Sequence, residues 1–143
     1  MPTIPDSNVV LDLLHRDAPF FAWSRKWLEA CARDGLVTNA VVFAESAVEF
    51  PVLDDAQSAF AHFGFAFEDI SAAAAHRAGL AHRNYRSNGG TRDRVLPDFL
   101  IGAHASIGRY RILTRDASRY RSYFPEVEVI APDQFRTIPC PTY

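Results

Sequence analysis

The chain is short of the features that mark several protein classes. Its two cysteines, Cys31 and Cys140, lie far apart and match no zinc or redox spacing. They are read as two reduced thiols of a cytoplasmic protein. No apolar run approaches the roughly 18 residues needed to cross a membrane. The N-terminus lacks a basic region followed by an apolar stretch, so secretion is not expected. No repeat, linker or low-complexity segment interrupts the 143 residues, which are expected to form one domain, 1–143. No Gly-x-Ser-x-Gly is present, and nothing else suggests a serine or cysteine nucleophile. What remains is a composition ordinary for a globular protein, 48% hydrophobic and 22% charged.

Lysine is absent from one long stretch that is rich in arginine. From His76 to Arg121 there are ten arginines against three aspartates, a net +7, while five basic and fourteen acidic residues elsewhere give −9. Any single arginine is ordinary helix surface. The clustering, and the choice of arginine alone, fits bidentate recognition of phosphate.

Short apolar strands alternate with helices along the chain. Residues 3–7 (TIPDS) form a strand cramped by Pro2 and Pro5, with Ser7 or Asn8 placed to cap the helix that follows. Phe20 to Arg33 has helical spacing, and GLVTN is a second strand. AVVFAESAVEF reads as a helix ended by Pro51, and Asp54 or Asp55 starts another over Ala56 to Phe63. FAFEDI is a third strand, and Ser71 caps an alanine-rich helix that stops at SNGG. Asn88 to Leu96 is a basic loop, and Pro97 opens a helix through about Gly108. YRILT, DASRYRSYF and VEVIAP complete a strand, helix and strand. Such alternation predicts an α/β fold of three layers, α/β/α, around a central parallel sheet.

Functional groups of such sheets gather beyond the carboxyl ends of the strands. Four acids fall beside strand ends or helix starts: Asp6, Glu45, Asp98 and Asp116. Singly, each has an ordinary explanation as a turn, surface or capping residue. Gathered at one sheet end, their repulsion calls for a cation, and oxygen donors suit Mg²⁺ or Mn²⁺. Thr114 and Ser118 are placed to hold Asp116 or a metal-bound water. His104, six residues after Asp98, points away from that side of its helix and is expected to be structural or on the surface.

The segments PDSNVVLDLL, NAVVFAES, LPDFLIGAHA and ILTRDASRYRSYFPEVEVIAP together resemble the PIN-domain ribonucleases, specifically VapC-type toxins of bacterial toxin–antitoxin pairs. The resemblance runs over nearly the whole chain and implies a PIN-like fold. It implies metal-binding, catalytic roles for Asp6, Glu45, Asp98 and Asp116, a strand-end hydroxyl at Thr114 and a polar first-loop residue at Asn8. Some PIN domains carry a further acid where Ser118 stands here. The implied reaction is Mg²⁺-assisted hydrolysis of an RNA phosphodiester, with Arg92, Arg94 and Arg115 on the flanking phosphates. The implied assembly is a homodimer neutralised by a small antitoxin laid across the acidic site. Apolar helix surface at Phe20, Phe21, Trp23, Trp27, Phe60 and Phe63 is in keeping with such partners.

Three other readings stand beside this one. A haloacid-dehalogenase-like phosphatase would want Asp-x-Asp after the first strand, where this chain has Asp6-Ser7-Asn8. A catalytically silent PIN module would hold RNA without cutting it. A PIN nuclease outside any toxin pair would share every residue named above.

Overall fold

The strands are runs of two or three residues, apolar or β-branched except for Arg111, too short to be stable unless both faces are covered. The computed structural model of the chain describes residues 1–92 and 95–132. Its five strands are β1 (Thr3–Pro5), β2 (Leu36–Thr38), β3 (Phe65–Phe67), β4 (Arg111–Leu113) and β5 (Val129–Ile130). They pair in parallel in the order β3-β2-β1-β4-β5. Seven helices connect them: α1 (Ser7–Leu14), α2 (Phe21–Ala32), α3 (Ala40–Ala47), α4 (Leu53–His62), α5 (Ala72–Ser87), α6 (Leu96–Gly108) and α7 (Ser118–Tyr123). This is the three-layer α/β/α arrangement expected from the alternation.

The period-two alternation of side chains divides the interior into two cores. Ile4, Val37, Ile112 and Val129 face the larger one, with Ala74, Ala78 and Ala81 of α5 and Phe99 and Ile101 of α6. Leu36, Leu113 and Ile130 face the smaller, with Val9 of α1 and Leu28 and Cys31 of α2. Register follows the same logic, since Ile4 lies beside Ile112 and Pro5 beside Leu113. The alanines of α5 let that helix lie close against α6.

Several boundaries differ from the sequence expectation for local reasons. Asp6, rather than Ser7 or Asn8, caps α1, because its extended backbone turns its carboxylate onto the Ser7 N–H. Helix α4 begins at Leu53, which puts Asp54 and Asp55 in its first turn, where the helix dipole favours them. Helix α3 stops at Ala47, before Pro51 can interrupt it. Ser71 caps α5 as expected, its Oγ accepting from the Ala74 N–H. Cys140 lies outside the described residues.

The strand order places β2 and β3 to one side of β1, and β4 and β5 to the other. Consecutive crossovers therefore diverge above the carboxyl ends of β1 and β4, opening the crevice at which α/β sheets bind their ligands. Behind that crevice, α6 packs against the ring of Phe124 at Gly102, where an added Cβ would overlap the ring. Phe124 is buried, so its ring cannot move aside without displacing its packed neighbours. Replacing Gly102 by alanine is expected to cost roughly 1–3 kcal/mol, measured as a lower midpoint in urea unfolding with an unchanged slope.

Candidate active site at the carboxyl end of the sheet

Asp6 ends β1 and is 5% exposed. A carboxylate so placed must be met by donors or surrender its charge. Four do so. The Ser7 N–H donates to Oδ1 at 2.7 Å, and the Thr114 and Tyr120 hydroxyls both donate to Oδ2 at 2.9 Å. The Ser7 hydroxyl lies 3.3 Å from Oδ1 and 3.1 Å from Oε1 of Glu45, so it bridges the two acids. Burial still raises the Asp6 pKa above the ordinary 3.8, with these hydrogen bonds pulling the other way.

Asp98 enters from the first turn of α6. Burial pushes its pKa up to about 6, and the charges of Asp6 and Glu45 add to the rise, while Arg119 opposes it. Arg119 forms an ion pair with Asp98 through Nη1 and Oδ2, and its guanidinium lies 6.0 Å from the Tyr85 ring centroid. Glu45, on α3, is also raised, by burial first and then by Asp6, against the Ser7 bond. Three acids from β1, α3 and α6 therefore share one electrostatic field.

Asp116 is placed differently. It follows β4 on an exposed turn, where its Oδ1 accepts from the Ser118 hydroxyl at 3.1 Å. Its backbone N–H donates to Thr114 Oγ1 at 3.1 Å, so the hydroxyl that holds Asp6 also holds the turn of Asp116. Asn8 ties the same two loops together. Its Nδ2 donates to Thr114 Oγ1 and its Oδ1 accepts the Arg115 N–H, both at 3.2 Å. The Arg115 side chain is turned to other work: Nε pairs with buried Asp12 at 2.9 Å, and the guanidinium lies 5.0 Å from the Phe20 ring centroid. Ser24 completes that arrangement by donating to Asp12 at 2.7 Å. Arg92 stands on the exposed loop after α5, with its N–H donating to the Tyr85 hydroxyl. Arg94 lies outside the described residues.

Three groups at this site had no place in the sequence reading. Ser7 is seen there only as a cap, Tyr120 is one residue of the short helix DASRYRSYF, and Arg119 is one arginine among ten. Only their partners in space set them apart.

A second network runs behind the acids. Asn39 caps α3, its Oδ1 accepting from the Val41 and Val42 N–H groups at 3.0 Å each. That fixes Nδ2 as the donor toward His104 Nδ1, 2.9 Å away. The proton of neutral His104 therefore sits on Nε2 and points to Glu68 Oε2 at 3.3 Å. The Tyr110 hydroxyl donates to the same Glu68 carboxylate at 2.8 Å. Of the two places expected for His104, structural or on the surface, it takes the structural one, buried between Asn39 and Glu68.

The chemistry of the donors at the crevice fits a hard divalent cation. Carboxylates and hydroxyls surround it, and burial together with mutual repulsion disfavours the charged acids. Among the described residues no three acidic, histidine or cysteine side chains converge closely enough to grip an ion together. Ser7 stands between Asp6 and Glu45, and Arg119 engages Asp98. Among the described residues, too, no helix is long and apolar enough to cross a membrane.

The chain is similar in fold to several solved structures. A chain of VapBC2 from Rickettsia felis, solved with a DNA fragment from its promoter, superposes with a TM-score of 0.70 at 17% identity, covering 92% of this chain and 98% of that one. FitAcB from Neisseria gonorrhoeae gives 0.68 at 17%, covering 93% and 99%. A toxin–antitoxin complex from Klebsiella pneumoniae gives 0.67 at 21%, covering 91% and 97%. No curated protein sequence matches. The model of the PIN domain family matches residues 3–124, from the first residue of β1 past the end of α7, and so takes in every acid of the crevice. The chain belongs to the PIN domain family.

Proposed function

We propose that this protein is a divalent-metal-dependent endoribonuclease that acts as the toxin of a toxin–antitoxin pair. The observation that carries the reading is the shared field of Asp6, Glu45 and Asp98 at the crevice between β1 and β4. Membership of the PIN family supports a nuclease, and the fold's likeness to toxin–antitoxin proteins over nearly its whole length supports the toxin role.

In this reading Asp6, Glu45, Asp98 and Asp116 are the acidic ligands of Mg²⁺ or Mn²⁺. A bound ion supplies a Lewis acid that activates water and balances charge on the leaving oxygen. The protein's part is to hold the acids ready. Thr114 and Asn8 fix the loops of Asp6 and Asp116, and Ser118 steadies the Asp116 carboxylate. Asp98, now paired with Arg119, would serve as a ligand of such an ion, and Arg119 would then be the nearby cation for substrate phosphate. The backbone of Arg92 lies near the same region, since its N–H donates to the Tyr85 hydroxyl and the Tyr85 ring centroid is 6.0 Å from the Arg119 guanidinium. Arg94 is assigned to phosphate on the sequence pattern alone. Arg115 serves phosphate less directly, because Asp12 already engages it.

The protein partners belong to the same reading. A cleft of about 590 Å³ opens between α1, α2 and the end of α4, with Leu13, Phe21, Leu28 and Phe63 as its apolar lining and Arg16 and Glu29 among its charged residues. It suits an amphipathic antitoxin segment. A second copy of the chain would cover Val48, Val52 and Leu53, which are more than half exposed between α3 and α4.

Three outcomes are expected. Purified protein cuts single-stranded RNA with Mg²⁺ or Mn²⁺ and stops with chelator. Asp98→Asn loses more rate than the roughly 10–100-fold typical of an outer-shell partner, whereas Arg92→Ala raises KM for RNA and leaves metal affinity alone. Cleavage by Asp98→Asn at the parental rate would end the proposal.

The pH dependence of the metal-free protein follows from the raised Asp98. A carboxyl whose folded pKa of about 6 exceeds its ordinary 3.8 binds its proton more tightly when folded. The stability it contributes is full below about pH 4 and is lost as pH rises through about 6. The Tm of the parent should therefore fall relative to that of Asp98→Asn between these values, and parallel curves would show Asp98 to be uncoupled.

Light scattering at micromolar concentration should give a dimer, and an antitoxin encoded beside the gene should block both RNA cleavage and labelling of the α1–α2–α4 cleft. A monomer indifferent to that protein would remove the toxin assignment while leaving the nuclease intact.

A further inference from the structure

The helix that follows Asp116 sends two consecutive side chains to two different acids. Arg119 pairs with Asp98, and Tyr120 donates to Oδ2 of Asp6 at 2.9 Å. The Tyr120 ring is buried against the larger core, as any aromatic there would be. Core packing explains the ring and leaves the hydroxyl unexplained, because phenylalanine would fill the same volume without placing a polar atom in the interior. A phenol keeps its proton at neutral pH, so at 2.9 Å it acts toward Asp6 as a donor.

The two oxygens of Asp6 have different surroundings. Oδ2 is held from one side by Thr114 and Tyr120. Oδ1 takes the Ser7 N–H and lies on the side of Glu45, across the Ser7 hydroxyl. A partial turn of the carboxylate about Cβ–Cγ would carry Oδ2 away from both hydroxyls.

We infer that Tyr120 is a positioning residue of the metal site: its phenol anchors Oδ2 of Asp6, together with Thr114, and so presents Oδ1 toward the cation. The inference rests on the metal-dependent reading above and adds a residue to it. Second-layer donors of this kind orient a ligand, and losing one costs roughly 10–100-fold in metal affinity.

The test measures binding of Mn²⁺ alone to chelator-treated protein, by calorimetry and by the rise in Tm with Mn²⁺. Parent, Tyr120→Phe, Thr114→Val and Asp98→Asn are compared, with circular dichroism as the check on folding. Tyr120→Phe is expected to fold, to bind Mn²⁺ roughly 10–100-fold more weakly, and to recover RNA cleavage as Mn²⁺ is raised, with KM for RNA unchanged. A residue needed only for packing would not be rescued by metal. Parental Mn²⁺ affinity in Tyr120→Phe, beside lost affinity in Asp98→Asn, overturns the role of Tyr120 and leaves the nuclease reading standing. A parent that binds no Mn²⁺ overturns both. Should Tyr120→Phe fail to fold, Thr114→Val, which removes the other donor to the same oxygen, decides: parental affinity there overturns the inference, and a loss of the same size upholds it.

Discussion

A carboxylate buried at the end of the central strand organises this molecule. Leaving Asp6 charged at that depth without partners would cost several kcal/mol, more than most single contacts return. Its partners come from four places in the chain: Ser7 beside it, Thr114 after β4, Tyr120 on α7 and, through the Ser7 bridge, Glu45 on α3. Satisfying one group thereby fixes the spacing of β1 and β4, the seat of α7 and the approach of α3. The apolar cores supply the bulk of the burial, but they are not directional. The hydrogen bonds around Asp6 determine which of many well-packed arrangements has a usable crevice.

The same crevice works against the stability of the fold. Three acids held in one field carry raised pKa values, which means that the folded state disfavours their charged forms. Arg119 offsets part of that cost at Asp98. A cluster of partly buried carboxylates is a cost to folding that the surrounding packing must offset. The order of the sheet explains why the cost sits here, for only above β1 and β4 do the connecting helices part.

Much of the fold is legible in the sequence. Apolar tripeptides such as LVT and RIL, set between helical stretches, leave little choice but a parallel sheet with helices on both faces. The Ser71 cap and the start of α6 near Pro97 follow from local chemistry. Asp6 as the cap of α1 was hidden, because Ser7 and Asn8 are equally good caps and only the strand's extended geometry decides between them. Asp6, Asp98 and Asp116 stand out in the sequence because each lies beside a strand end or helix start, whereas Glu45 lies toward the end of α3. Their helpers do not stand out. Tyr120 sits in a short helix with nothing local to single it out, and the buried Asp12 that engages Arg115 sits among the valines and leucines of α1. Partners more than a hundred residues apart, such as Tyr120 and Asp6, leave no trace in local pattern.

The chain from Asn39 through His104 and Glu68 to Tyr110 sets an alignment that oily contacts cannot. Asn39 starts the helix that carries Glu45, and His104 lies on the helix that carries Asp98. Two helices packed through smooth alkyl surfaces can slide by a fraction of a turn at small cost, whereas a bond between a ring nitrogen and an amide has a single setting. The separation of two carboxylates at the mouth of the crevice is thus gauged by a peg inserted behind it. The tolerance of the reactive end is that of the peg, and Tyr110, at the foot of β4, belongs to its calibration.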